Sequence, residues 1–164
     1  MTATASFTAV PVWYTTSLSA EADVVQSAQR EVRSALERSE ALFGKKKATI
    51  SAIWAVFIDH RADDWDGYGA EPVRLAAAEL AERFVRSLPD NVPLPEPGAE
   101  PDGSLSFDWS RSRFKMLSMS MAAGTGVAYA WIHGDDRGRG VFQFDGKVVP
   151  KPVLQRILAT IDDE

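Results

Sequence analysis

Four carboxylates, two aromatic rings and two glycines fall within ten residues, Asp63-Asp64-Trp65-Asp66-Gly67-Tyr68-Gly69-Ala70-Glu71-Pro72. Carboxylates at this density can ligate a hard cation, accept hydrogen bonds that shape a turn, or steer a basic partner. A calcium loop with Gly67 at its glycine position would put Ala62 first and Val73 twelfth, where oxygen ligands are required. No metal site is therefore expected. Gly67 and Gly69 supply backbone freedom, while Trp65 and Tyr68 add broad surfaces with a polar tip. The segment reads as a shaped recognition turn, with Asp63, Asp64, Trp65, Asp66, Tyr68 and Glu71 as its binding residues.

Other chemistry is sparse. His60 and His133 belong to no zinc or metalloprotease pattern. His133 lies close to Asp135 and Asp136, and together with Asp66 these form the acid-base set of an alternative reading, an enzyme or small-ligand binder with a pocket between helices and sheet. No serine sits in a GxSxG elbow and there is no cysteine, so no catalytic residue is assigned. The glycine-rich stretches 124–126 and 134–140 match neither nucleotide-loop pattern and read as hairpin turns, so no cofactor is expected. Arg137 and Arg139 in the second stretch are added to the binding residues, because guanidinium suits anionic groups. With Arg111, Arg113 and Lys115 they form a third reading, a nucleic-acid module at one sheet end.

The elements that must position these groups follow from periodicity. Val10, Val12, Trp13 and Tyr14 form an apolar knot in the Thr/Ala/Ser-rich stretch 1–18. Ser19 is a candidate N-cap, and Val25, Ala28, Val32, Leu36, Ser39 and Phe43 recur at helical spacing as a buried face, with Gly44 as the stop. Lys45, Lys46 and Lys47 read as a solvated connection to the apolar run 50–58, where Ile50, Ile53, Trp54, Phe57 and Ile58 fit the face of a second helix while the branched and aromatic content also suits a strand. Pro72 suits a first helical position, and Val73, Ala76, Ala77, Leu80, Ala81, Phe84, Val85 and Leu88 carry that helix to Pro89. Five prolines between Pro89 and Pro101 predict an extended surface connection without ladder pairing. Leu105, Phe107 and Trp109 alternate with polar residues, as do Leu117, Met119 and Met121. Segments 127–133, 141–144 and 147–149 continue the pattern. Trp109, Tyr129, Trp131, Phe142 and Phe144 read as core facing the helices in preference to a base-stacking platform. Val153, Leu154, Ile157, Leu158 and Ile161 predict a closing helix.

The expected architecture is α+β, with N-terminal helices packed on a four- or five-stranded antiparallel sheet and a short C-terminal helix. One domain is expected over 1–164: a helical half 1–88, a Pro-rich connection 89–101, and sheet plus closing helix 102–164. The 164 residues are 45% hydrophobic, enough for one sizeable core, and the formal net charge is −5. That balance opposes general nucleic-acid binding, which clustered Lys and Arg would drive. With neither a signal-peptide pattern nor a membrane-spanning run, a cytoplasmic protein with no membrane association is expected.

The residues Trp65-Asp66-Gly67-Tyr68-Gly69-Ala70-Glu71-Pro72, then Leu88-Pro89, then Asp102-Gly103-Ser104-Leu105-Ser106-Phe107-Asp108-Trp109 resemble a family of uncharacterised small bacterial proteins with a WDGYGAxP signature. The resemblance covers about a third of the chain, leaves residues 1–60 outside it and carries no biochemical activity over. It implies accessory genes of mobile or defence-related loci, and so an inhibitor, antitoxin, immunity or anti-defence role. The leading expectation is a non-catalytic protein-binding protein that uses the acidic aromatic turn, its partner another protein such as a basic nuclease or nucleic-acid-binding complex.

Overall fold

The computed structural model describes residues 20–162; between 20 and 42, side chains are described only for Ser27, Arg30, Arg33 and Ser34. The expectations for Val10 to Tyr14, for the Ser19 cap and for the buried face from Val25 to Ser39 lie outside the described residues. The chain separates into two compact units, 1–39 and 40–164, and the second holds the sheet and core.

Helix α1 runs from Ala20 to Asp59, so Gly44 does not end it and Lys45, Lys46 and Lys47 are helical rather than a connection. A mid-helix glycine costs about 1 kcal/mol relative to alanine, which good helix formers on either side can offset. Phe43, expected on the buried face, is 69% exposed, and Ile58 is exposed too; Ile53 is fully buried in the core, and Ile50, Trp54, Val56 and Phe57 pack partly buried against it. Helix α2 spans Leu75–Ser87, three residues later than Pro72 suggested, because Pro72 and Val73 are still bound up with the preceding turn. Ala77, Ala78, Leu80, Ala81, Phe84 and Val85 form its buried stripe, while Ala76 faces outward.

The sheet is a five-stranded antiparallel meander in the order β1-β2-β3-β4-β5. Its strands are β1 (Glu96–Ala99), β2 (Leu105–Ser112), β3 (Lys115–Met121), β4 (Gly126–His133) and β5 (Asp136–Gln143). Two of these correct the sequence reading. The Pro-rich connection does pair, as β1, because a short edge strand needs donors on one side alone and tolerates Pro97. The stretch 134–140 is mostly the start of β5, and 147–149 forms no strand.

Register separates two faces. Leu105, Met121, Val127 and Phe142 lie in one row, Phe107, Met119, Tyr129 and Gly140 in the next, then Trp109, Leu117, Trp131 and Gly138. This face packs beneath α2 and α3 (Lys151–Ile161), both of which lie across β2 and β3. Phe84 of α2 is fully buried among Phe107, Phe142 and Phe144, with ring centroids 5.8, 6.4 and 5.4 Å away. The expected core aromatics thus do face the helices. The opposite face carries Ser106, Asp108, Ser118, Ser120, Ala128, Ala130, Ile132, Arg139 and Val141.

Candidate functional site

The turn between α1 and α2 is shaped by its own polar groups. Asp64 adopts a left-handed backbone (φ 58°), and its Oδ1 accepts the Gly69 amide at 2.6 Å. The Asp66 Oδ1 accepts the amides of Tyr68 at 2.8 Å and Ala70 at 3.1 Å. Backbone bonds from Asp64 N to Ala70 O and from Gly67 N to Asp64 O close the loop. Gly67 (φ 74°) and Gly69 (φ 91°) occupy conformations that β-carbon-bearing residues resist, although space around both is open. The sequence puts Asp64 and Asp66 among the expected binding residues. Their bonds make them turn acceptors.

The rings divide similarly. Trp65 is half-buried, donates its indole N–H to the Glu71 carbonyl at 3.0 Å and meets the His60 ring edge-on at 4.4 Å, while the His60 Nδ1 lies 2.7 Å from the Val56 carbonyl. Trp65 thereby pins the turn to the end of α1. Tyr68, at the tip, is 93% exposed. Asp63 is exposed and has no hydrogen bond or ion pair among the described residues; exposed Glu71 pairs with Arg74 at 2.7 Å. The turn docks on the β1–β2 connection through Glu71 N to Pro101 O and Arg74 N to Gly103 O. A Cβ at Gly103 would lie 2.6 Å from the Pro72 carbonyl, so the docking requires glycine there.

The remaining expected binding residues stand elsewhere. Arg137 and Arg139 are exposed on β5, three strands across from β2, roughly 14 Å at about 4.8 Å per strand. Nor do Asp66 and His133 share a cleft. The turn docks at the Leu105 end of β2, whereas His133 pairs with Lys115 at the Ser112 end, about 24 Å away at 3.4 Å per residue. Asp136 is engaged by the Arg156 guanidinium at 2.8 Å and by the Trp131 indole at 3.2 Å, contacts that hold its carboxyl below the usual aspartate range. Arg111, Arg113, Lys115 and Arg137 do gather at one sheet end, because the β2–β3 and β4–β5 hairpins lie side by side with Gly134 N bonded to Phe114 O. Asp135 and Asp136 interrupt that patch, and Lys115 donates to the Asp162 carbonyl.

Further polar groups, not singled out from sequence, border the open face beside β1. Ser104 is buried and bonds Asp102 and the Ser120 hydroxyl, which holds the Asp102 carboxyl low. Burial, then repulsion from Asp102 and Asp108, raises the Glu100 carboxyl. Among the described residues no group of three or more His, Cys, Asp or Glu could hold a metal ion. A 670 Å³ groove lies between α1, the 89–94 loop and the end of α3, lined by Lys46, Thr49, Val92, Leu94, Leu158 and Ile161; none of the expected site residues reaches it. No helix among the described residues is long and apolar enough to cross a membrane. Comparison with protein-family models, curated proteins and solved structures returned no match.

Proposed function

We propose that this chain is a non-catalytic interaction protein of the inhibitor, antitoxin or immunity type, which engages a basic partner protein in the cytoplasm through the turn at 63–71. The observation that carries the reading is Tyr68, a ring 93% exposed on a turn whose backbone is held by Asp64, Asp66 and Trp65. An aromatic side chain on a backbone already held in place leaves only its own rotamers to be fixed on binding, which lowers the ordering cost of the contact. Asp63 is an exposed carboxylate on the same turn, and a net charge of −5 favours encounter with a basic nuclease or nucleic-acid-binding complex. The WDGYGAxP resemblance, with its implication of mobile or defence-related loci, points the same way.

Affinity capture from the source cells, followed by titration of the recovered partner, tests the reading. Tyr68→Ala is expected to weaken binding by about tenfold or more, as loss of a central anchor does. Asp63→Asn should mainly lower the association rate and its salt sensitivity. Equal binding by the parent chain and Tyr68→Ala, with both folded, would refute it. Asp64→Ala and Asp66→Ala are poor probes of contact, because they remove the bonds that shape the turn.

A further inference from the structure

The two edges of the sheet are built differently. β1 is four residues long and contains Pro97, and such features blunt an edge against further pairing. β5 is eight residues long, has no proline and pairs with β4 along its length without a register shift. Helices α2 and α3 lie over β2 and β3, and α3 reaches β5 through the Arg156–Asp136 pair at the strand's first residue. Among the described residues no strand pairs with the outer edge of β5, which is thus a template for another strand.

The side chains of β5 specify what would lie beside it. On the open face stand Arg137, Arg139 and Val141; neither arginine has a hydrogen bond or ion pair among the described residues, and Val141 is 69% exposed. Arg139 and Val141 border a 540 Å³ groove floored by Ser118, Ser120, Ala128 and Ala130. On the helix face stand Gly138 and Gly140, and the rings of Trp131 and Tyr129 extend over them. A strand added here meets two guanidinium groups on one face and two aromatic ring edges on the other.

We infer that β5 takes up an extended acidic segment of a partner protein as a sixth strand, with carboxylates toward Arg137 and Arg139 and alternate apolar side chains toward Tyr129 and Trp131. A second copy of this chain is a poorer occupant. Two β5 strands paired antiparallel near their middles would bring two Arg137 and two Arg139 side chains onto one face, and like charges set opposite one another destabilise strand pairing. The site is separate from Tyr68, so Tyr68→Ala leaves it unaffected and the two proposals can fail independently.

Two acetylated eight-residue peptides test the inference, one alternating Glu and Val and one alternating Lys and Val, titrated into the full chain with amide hydrogen exchange followed by NMR. The Glu/Val peptide is expected to slow exchange at β5 amides that are unprotected in the free chain, while the Lys/Val peptide binds at least about tenfold more weakly. The double variant Arg137→Glu, Arg139→Glu should reverse that preference. Equal binding of the two peptides, binding that leaves β5 amides unprotected, or β5 protection that rises with protein concentration in the absence of peptide would each overturn the inference. The two-peptide comparison on the unsubstituted chain stands even where the double variant fails to fold.

Discussion

Asp66→Ala separates shaping from contact within the turn. The Asp66 Oδ1 accepts two amides, Tyr68 at 2.8 Å and Ala70 at 3.1 Å. Tyr68 is exposed, so water replaces the lost acceptor there at a cost of a few tenths of a kcal/mol. Ala70 is 5% exposed, and leaving its amide without a partner costs about 1–3 kcal/mol, the lower half applying to a site this near solvent. The expected loss is therefore about 1–2 kcal/mol, equivalent to a fall in Tm of roughly 3–6 °C for a chain of this size. Urea unfolding followed by far-UV circular dichroism should show a lower midpoint with an unchanged slope. Asp63→Ala and Tyr68→Ala, whose side chains contact water, should each stay within about 0.5 kcal/mol of the parent. The reasoning fails if Asp66→Ala unfolds at the same midpoint as the parent, or if Tyr68→Ala destabilises as much as Asp66→Ala does.

Other expectations follow from the same structure. Gly138→Ala would place a Cβ 2.4 Å from the Trp131 ring, so thermal unfolding should register a loss of about 1–3 kcal/mol as the ring is displaced; a neutral result would mean that Trp131 does not rest on β5. Phe84→Ala empties the centre of the aromatic cluster and should cost about 3–5 kcal/mol in chemical denaturation. Glu100 carries the opposite sign from the usual carboxylate: its folded pKa lies above the unfolded one, so the unfolded chain releases the proton first and stability falls as pH rises through that interval. Glu100→Gln should therefore stabilise at pH 7 and have little effect where Glu100 is protonated in both states, which urea midpoints measured across pH would reveal.

Much of the architecture was legible because its signals are local. The stripe from Ala77 to Val85, the alternation through Leu105, Phe107 and Trp109, and that through Leu117, Met119 and Met121 each declare a buried face within one element, and the α+β arrangement follows from burying those faces together. The signature turn was likewise visible as a turn, since Gly67, Gly69 and the aspartates carry its chemistry in adjacent residues. Where the sequence misled, the context of the residue decided. Gly44 lies within α1 although glycine so often ends helices, and Pro97 pairs because it occupies an edge. Gly138 and Gly140 looked like turn residues, yet they are the places where rings from β4 cross the neighbouring strand. Residue types alone told that acids, rings and arginines were present. The Asp64 and Asp66 bonds stay within the turn, but which charges are engaged from afar, as Asp136 is by Arg156, and which face outward, as Arg137 and Arg139 do, is set by tertiary packing rather than by order along the chain.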